Sequence, residues 1–287
     1  MDMTRLIALP YAALALAATA AAATSSSGDD DAAALGAIIE ARSDEDKARD
    51  RWRNPAETLG FFEVTPVSTV VEVLPGREWY TRIILPYVAA EGRYVGANYQ
   101  DGMWPLILPE PTPELVERLS TWAETFSESA RDIAETAQPV TAFEFGAAPS
   151  SLEGEVDVVL FIRALHNFNR AGGAFGAEAL SDAYRLLKPG GVLGVVQHEA
   201  PAGAEGAAAD GTDGYMSREA VIDMIEAAGF RLEATSDVNA NPADQPQPGE
   251  FVWRLAPTFG LGEKGRDAYA AIGETNRMTL RFRKPEN

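Results

Sequence analysis

The chain has 287 residues, 46% of them apolar, no cysteine and a formal net charge of −19. That length and apolar share allow one sizeable α/β core or two small ones. The negative field repels phosphate backbones and anionic lipid, which argues against nucleic acid or a membrane surface as partner, and the missing cysteine excludes disulfides, thiolate catalysis and thiolate metal sites.

Arg5 is followed by an apolar, alanine-rich run over residues 6–18, and "ATAAAAT" supplies small residues for cleavage near Ala20 to Ala23. This layout predicts a secretory signal peptide over residues 1–23 and a periplasmic or secreted protein. The apolar run is short of the roughly 20 residues that span a bilayer, so the mature chain is expected off the membrane. "TSSSGDDDAAA" reads as a disordered acidic linker over residues 24–42, leaving a single domain over 43–287. Ser43, with Asp46 three residues on, predicts a capped helix start, and Asn54-Pro55 marks a break before a second short helix. The "RDRWR" segment between them reads as a lid over a site or as a solvated helix face.

Strands and helices then alternate. "STVVEVL" predicts a buried strand, with a helix through "WYTRIILPYVAAEG" and a second strand in "RYVGANY". Thr112 caps a helix with Pro113 in its first turn. "VTAFEF" and "VDVVLFIRAL" are the third and fourth strands. The helix "GAEALSDAYRLLKPGG" leads to the fifth strand, "VLGVVQH". A helix from Ser217 to Gly229 leads to the sixth, "RLEATSDV". After a long proline-rich excursion, "RMTLRFRKP" is the seventh. Apolar strands separated by helices predict a mostly parallel sheet covered on both faces. The last strand is expected antiparallel, because it has no crossover helix of its own.

Ligands of such a sheet bind outside the carboxyl ends of the strands. The first strand–helix loop, with Pro75 and Gly76, is therefore a candidate site. Asn98 lies at the end of the second strand, where a ribose-binding side chain belongs. By spacing alone this is a weak nucleoside fingerprint, since a lone glycine after a strand also reads as a plain turn. The only two histidines, His166 and His198, are each expected to end a buried strand and to share the ligand rim. Such imidazoles can take a proton near neutral pH, hold a divalent metal with Glu199, or tie down a loop. Tyr80, Glu274 and Arg277 are candidates to meet a polar substrate; Glu274 and Arg277 can equally pair with each other at the surface.

The succession "VVEVLPGREWYT", "VDVVLFIRALHNF", "YRLLKPGGVLGVVQH" and "AAGFRLEATSDV" resembles the class I S-adenosylmethionine-dependent methyltransferases. Through "RNPAETLGFFEV", "PGREWYT", "LHNF", "NANPAD" and "IGETNRMTLRF" the chain is similar to a bacterial group of methyltransferases that carry signal peptides. The resemblance runs over nearly all of residues 43–285. It implies a Rossmann-like, seven-stranded α/β fold with S-adenosylmethionine as cofactor. Glu72 would orient the loop, Pro75 and Gly76 approach the methionine part, Asn98 sit by the ribose, and Phe145 and Gly146 border the adenine. His166 would deprotonate the substrate, with Asn167 holding it and His198 alongside. The departure is Glu78, where these proteins usually have a final glycine. The function expected is an exported methyltransferase acting on a small molecule. Two other readings stay open: another chemistry on the same fold (hydrolysis, isomerisation or cyclisation, metal-assisted or not), and a non-catalytic small-ligand-binding protein.

Overall fold

The computed structural model describes residues 15–108, 110–134 and 140–286, with side chains from Gly28 onward. Its first element, α1 (Ala15–Ala41), runs through the stretch expected to be a disordered linker. Leu35 and Ile39, four residues apart, fall on one helix face. Both are buried with Leu59, Ile84, Tyr87 and Val88, and this apolar anchor overrides the polar run before it. Residues 1–14 of the expected signal peptide lie outside the described residues.

Ser43 caps α2 (Asp44–Lys47), its hydroxyl accepting from the Asp46 amide at 3.2 Å, which satisfies one of the helix's orphan donors. After α3 (Asp50–Arg53), Asn54 turns the chain in a left-handed conformation (φ 38°), and Pro55 opens α4 (Pro55–Phe61). A residue ahead of proline is disfavoured in the helical region, so the break expected at Asn54-Pro55 has a steric cause.

The sheet comprises β1 (Thr69–Val73), β2 (Arg93–Asn98), β3 (Thr141–Glu144), β4 (Val156–Ile162), β5 (Leu187–His198), β6 (Arg231–Ser236) and β7 (Arg277–Arg283). Its strand order is β3-β2-β1-β4-β5-β7-β6. The first five strands pair in parallel, and β7 is antiparallel to both β5 and β6. Order reverses between β1 and β4, which places the ligand-binding crevice above β1. The connecting helices are α5 (Thr81–Val88), α6 (Trp104–Ile107), α7 (Pro113–Ser120), α8 (Trp122–Ala134), α9 (Leu165–Arg170), α10 (Ala174–Leu186), α11 (Arg218–Ala227) and α12 (Arg266–Ile272). Thr112 and Ser217 cap α7 and α11 through their hydroxyls.

Successive strand residues point to opposite faces. Val70, Val158 and Leu160 belong to a core with α1, α4, α5 and α8. Val71, Val73, Val159 and Phe161 belong to the other, with α6, α9, α10 and α11. Each large apolar side chain so buried contributes about 1.5–3 kcal/mol. Gly194 of β5 is required by close approach: a Cβ there would lie 2.7 Å from Phe62 Cδ1 and 2.8 Å from Leu160 Cδ2.

β4 ends at Ile162, three residues earlier than the apolar run suggests. Arg163 takes a left-handed conformation (φ 56°) and breaks the strand. His166 therefore sits on α9 rather than on a strand end, which corrects the expectation; His198 does end β5.

Candidate functional site

The loop after β1 has a regular backbone. Leu74, Gly76 and Glu78 all lie in the left-handed region, at φ 53°, 60° and 62°. Glycine adopts this conformation freely, whereas an L-side chain there costs roughly 1–2 kcal/mol. Three alternate residues thus share the left-handed conformation with a single glycine among them. Glu72, buried at the end of β1, holds the far side of the loop. Its Oε2 accepts from Thr81 Oγ1 at 2.8 Å and from Tyr94 Oη at 2.7 Å, which pins the start of α5. Burial pushes its carboxyl up to about 7, against the pull of those two hydrogen bonds. Glu78 turns away from the loop toward Arg82 Nη1, 3.8 Å off.

The α2–α3 segment is fastened over this loop. Asp46 receives Arg82 Nε and Nη2 at 2.9 and 2.7 Å, and its carbonyl receives Trp79 Nε1 at 3.0 Å. The Arg53 guanidinium lies over the Trp79 ring, 4.5 Å from the centroid. Of the two readings of "RDRWR", the cover is the one the contacts support.

Beneath the cover lies a buried charge cluster. Glu274 Oε1 accepts from Arg49 Nε at 2.7 Å, and its Oε2 accepts from Arg53 Nε at 3.2 Å and Arg277 Nη1 at 3.1 Å. Burial alone would raise this carboxyl, but Arg277, Arg53, Arg163 and Arg49 outweigh it and hold it at about 2. Glu274 and Arg277 do pair, as one reading of the sequence has it, but 3% and 2% exposed rather than at the surface. Burial and the neighbouring Arg163 draw Arg53 down to about 9, and burial draws Arg163 down to about 10. Both remain cationic at neutral pH.

A cavity of about 150 Å³ opens at this point. The loop lines it through Glu72, Leu74, Pro75 and Gly76, and the opposite wall carries Arg49, Arg53, Arg163 and Pro257. Tyr80, a candidate substrate contact, is also in the wall, its hydroxyl donating to the Arg53 carbonyl at 3.3 Å.

No protein-family model matches the sequence, and no curated protein matches it. Solved structures do match its fold. A SAM-dependent methyltransferase from Aquifex aeolicus superposes with a TM-score of 0.50 at 14% identity, covering 87% of this chain and 98% of that one. The fold is that of the class I methyltransferases. The [4+2]-cyclase SpnF gives 0.49 at 16% identity, over 82% of this chain and 81% of its own. The 1,6-didemethyltoxoflavin-N1-methyltransferase of Burkholderia thailandensis, solved with S-adenosylhomocysteine, gives 0.44 at 16%, over 97% and 93%.

The cofactor implied by a methyltransferase fold finds unequal accommodation here. At the methionine end the residues fit: the loop is open at Gly76, where an added Cβ would meet nothing closer than Leu74 O at 3.6 Å. At the nucleoside end side chains close the space. Asn98 is 2% exposed, and its Oδ1 accepts from the Tyr99 amide at 2.9 Å. Phe145 belongs to the apolar core, stacked on Phe161 at 5.9 Å. Gly146 (φ 85°) donates to Asp182 Oδ2 at 2.8 Å, and Gln100 and Glu178 crowd its open side. Between them Tyr99 reaches across from β2, packs against Phe168 and Trp104, and donates to the Ala164 carbonyl at 2.9 Å. A cavity of 150 Å³ is also well below the roughly 300–1,000 Å³ that ligand pockets of this size class occupy.

The two histidine rings lie 5.4 Å apart, as neighbours on the same side of the fold, with Trp253 5.7 Å from His166. Neither lines the cavity. His166 Nδ1 meets the Gln197 amide at 3.4 Å and His198 Nδ1 meets Thr275 Oγ1 at 2.6 Å. Burial pulls His166 down to about 3 and His198 well below its ordinary value, the latter with help from His166 and the nearby arginines. Both rings are therefore neutral near pH 7, and a base effective there needs a pKa near the working pH. Asn167 donates to Tyr99 Oη at 3.1 Å and accepts from Arg170 at 3.0 Å, so its amide is used internally. Glu199 is held in a two-pronged pair by Arg218, at 2.7 and 3.0 Å, rather than facing the histidines. Among the described residues no group of three or more His, Cys, Asp or Glu is arranged to hold a metal.

Proposed function

We propose that the protein is an enzyme of the methyltransferase fold that transfers a methyl group from S-adenosylmethionine to a small molecule. The observation that carries this reading is the loop of residues 74–78, which keeps the three-fold left-handed backbone against the steric preference of Leu74 and Glu78. Strained conformations persist where the surrounding structure enforces them, and they cluster at functional sites. When bound, S-adenosylmethionine supplies a methyl group carried on a sulfonium. The chain's own part is to align a substrate beside Gly76, to exclude water with Trp79 and the α2–α3 cover, and to accept a proton. Within the cavity wall Glu72, poised at about 7, is better matched to that last task than His166. Export is part of the same proposal and rests on residues 5–23; mass spectrometry of the N-terminus of protein recovered from the cell envelope tests it.

The closure of the nucleoside end by Tyr99 favours a second reading, in which the fold serves a small ligand without this cofactor. Calorimetry with S-adenosylhomocysteine separates the two. Saturable binding, with a heat that changes in Tyr99→Ala, supports methyl transfer. Absence of binding to the wild type and to Tyr99→Ala alike overturns it.

A further inference from the structure

The arginine cluster carries more cationic charge than the protein around it uses. Glu274 is the acidic group bonded to Arg49, Arg53 and Arg277, and both of its oxygens are already taken. Arg53 is 1% exposed, yet its Nη1 and Nη2 have no hydrogen-bond partner among the described residues, and the buried Nε of Arg163 has none either. Five donors on a guanidinium are normally used when it is buried, and an unpaired buried donor on a charged group is costly. Arg42 also carries a buried nitrogen without a partner, but Arg53 and Arg163 share the wall of one cavity, in a chain of net charge −19. Arg49, Arg53 and Arg163 all line the cavity beside Gly76, so the guanidiniums with unpaired donors belong to its wall. Guanidinium forks match planar or tetrahedral oxyanions in preference to neutral groups.

We propose that this wall of the cavity is a binding site for an oxyanion, the carboxylate or phosphate of a small acidic substrate, held by Arg53 and Arg163 with Arg49 at the entrance. The site deepens the methyl-transfer reading by naming the substrate's chemical class, but its own evidence is the unpaired guanidinium donors and stands apart from the cofactor. Glu274 fixes Arg49, Arg53 and Arg277 in place, and the closed side at Trp79 keeps the anion out of bulk water, where the pairing is stronger.

The test is thermal unfolding and calorimetry of the full chain with inorganic phosphate and with acetate, against chloride at equal ionic strength. Phosphate or acetate is expected to raise the unfolding temperature where chloride does not. Arg163→Gln, which leaves every bond to Glu274 intact, is expected to weaken the anion's Kd by about tenfold or more. Arg53→Gln is expected to remove the effect; if that variant does not fold, Arg163→Gln decides alone. Equal stabilisation by chloride, or an unchanged Kd in Arg163→Gln, overturns the site. Displacement of phosphate by S-adenosylhomocysteine but not by 5′-methylthioadenosine, which lacks the amino-acid tail, overturns the substrate assignment, because the cluster would then hold the cofactor's own carboxylate. Phosphate binding without any S-adenosylhomocysteine binding keeps the oxyanion site and removes the methyl-transfer reading, so the two fail separately.

Discussion

Replacing Glu274 by Gln takes away the carboxylate that joins Arg49, Arg53 and Arg277 while nearly preserving shape. Its carboxyl sits at about 2 in the folded protein, against an ordinary value of 4.5. A difference of that size converts, at 1.36 kcal/mol per unit, to about 3 kcal/mol. An independent route gives the same scale: breaking one side of a buried ion pair costs about 3–5 kcal/mol. At about 2–4 °C per kcal/mol for a chain of this size, Glu274→Gln should lower the unfolding temperature by about 6–12 °C. The sign of the pH dependence follows from the depressed carboxyl. Its contribution is complete above the unfolded value of 4.5 and is lost as pH falls through about 2. Urea unfolding of both proteins, extrapolated to water, should show a constant gap near neutrality that narrows below about pH 4.5. A gap under about 1 kcal/mol at neutral pH, or one that does not narrow in acid, would refute the assignment of Glu274 as the anion that holds the cluster.

Glu78→Gly should raise stability by about 1 kcal/mol in urea unfolding, because it relieves a left-handed side chain at the expense only of a half-exposed pair with Arg82; a loss would show that the carboxylate is needed where it points. Tyr99→Phe should cost about 1–2 kcal/mol in the same assay, since it removes the donor to the Ala164 carbonyl and the acceptor of Asn167; no change would mean that the bridge is not formed. His166 is held down to about 3 from 6.5, so the unfolded chain takes up its proton first as pH falls. Its contribution is intact above about 6.5 and drains away toward about 3: the urea midpoint should decline over that range, the decline should be shallower in His166→Gln, and the imidazole NMR signals should stay fixed from about pH 8 to about 5.

The sheet was legible because its strands are apolar runs with punctuation, and β7 was read as antiparallel because no crossover helix was expected ahead of it, although the short α12 does precede it. The caps at Ser43, Thr112 and Ser217 were legible for a local reason, a hydroxyl placed three residues ahead of an amide. What escaped the sequence was set by tertiary contacts. The polar letters around Asp29 to Asp31 read as linker, although Leu35 and Ile39 already carried the four-residue spacing of a buried helix face. The continuous run "VDVVLFIRAL" hid the end of β4, because a left-handed Arg163 has no signature in composition. Arg163 was not singled out, and Arg49 and Arg53 were read only as part of "RDRWR", since arginine is seldom buried and only three-dimensional closure brings them to Glu274. The loop after β1 was legible as a break between strand and helix, but the left-handed backbone of Leu74 and Glu78 has no signature in the letters.

The cluster draws its members from opposite extremes of the chain. Arg53 and Glu274 are 221 residues apart, and Arg49 and Glu274 are 225 apart. A nascent chain can therefore form β1 to β5 and their helices while Arg49 and Arg53 still wait for a counter-ion. Only when β7 is synthesised and slots between β5 and β6 does Glu274 arrive, and with it the fastening of α2 and α3. Such long-range closure is slow relative to local contacts. Closure of the arginine cluster thus becomes a late event in biosynthesis, and a chain truncated at either end should fold much of its sheet without ever completing that cluster.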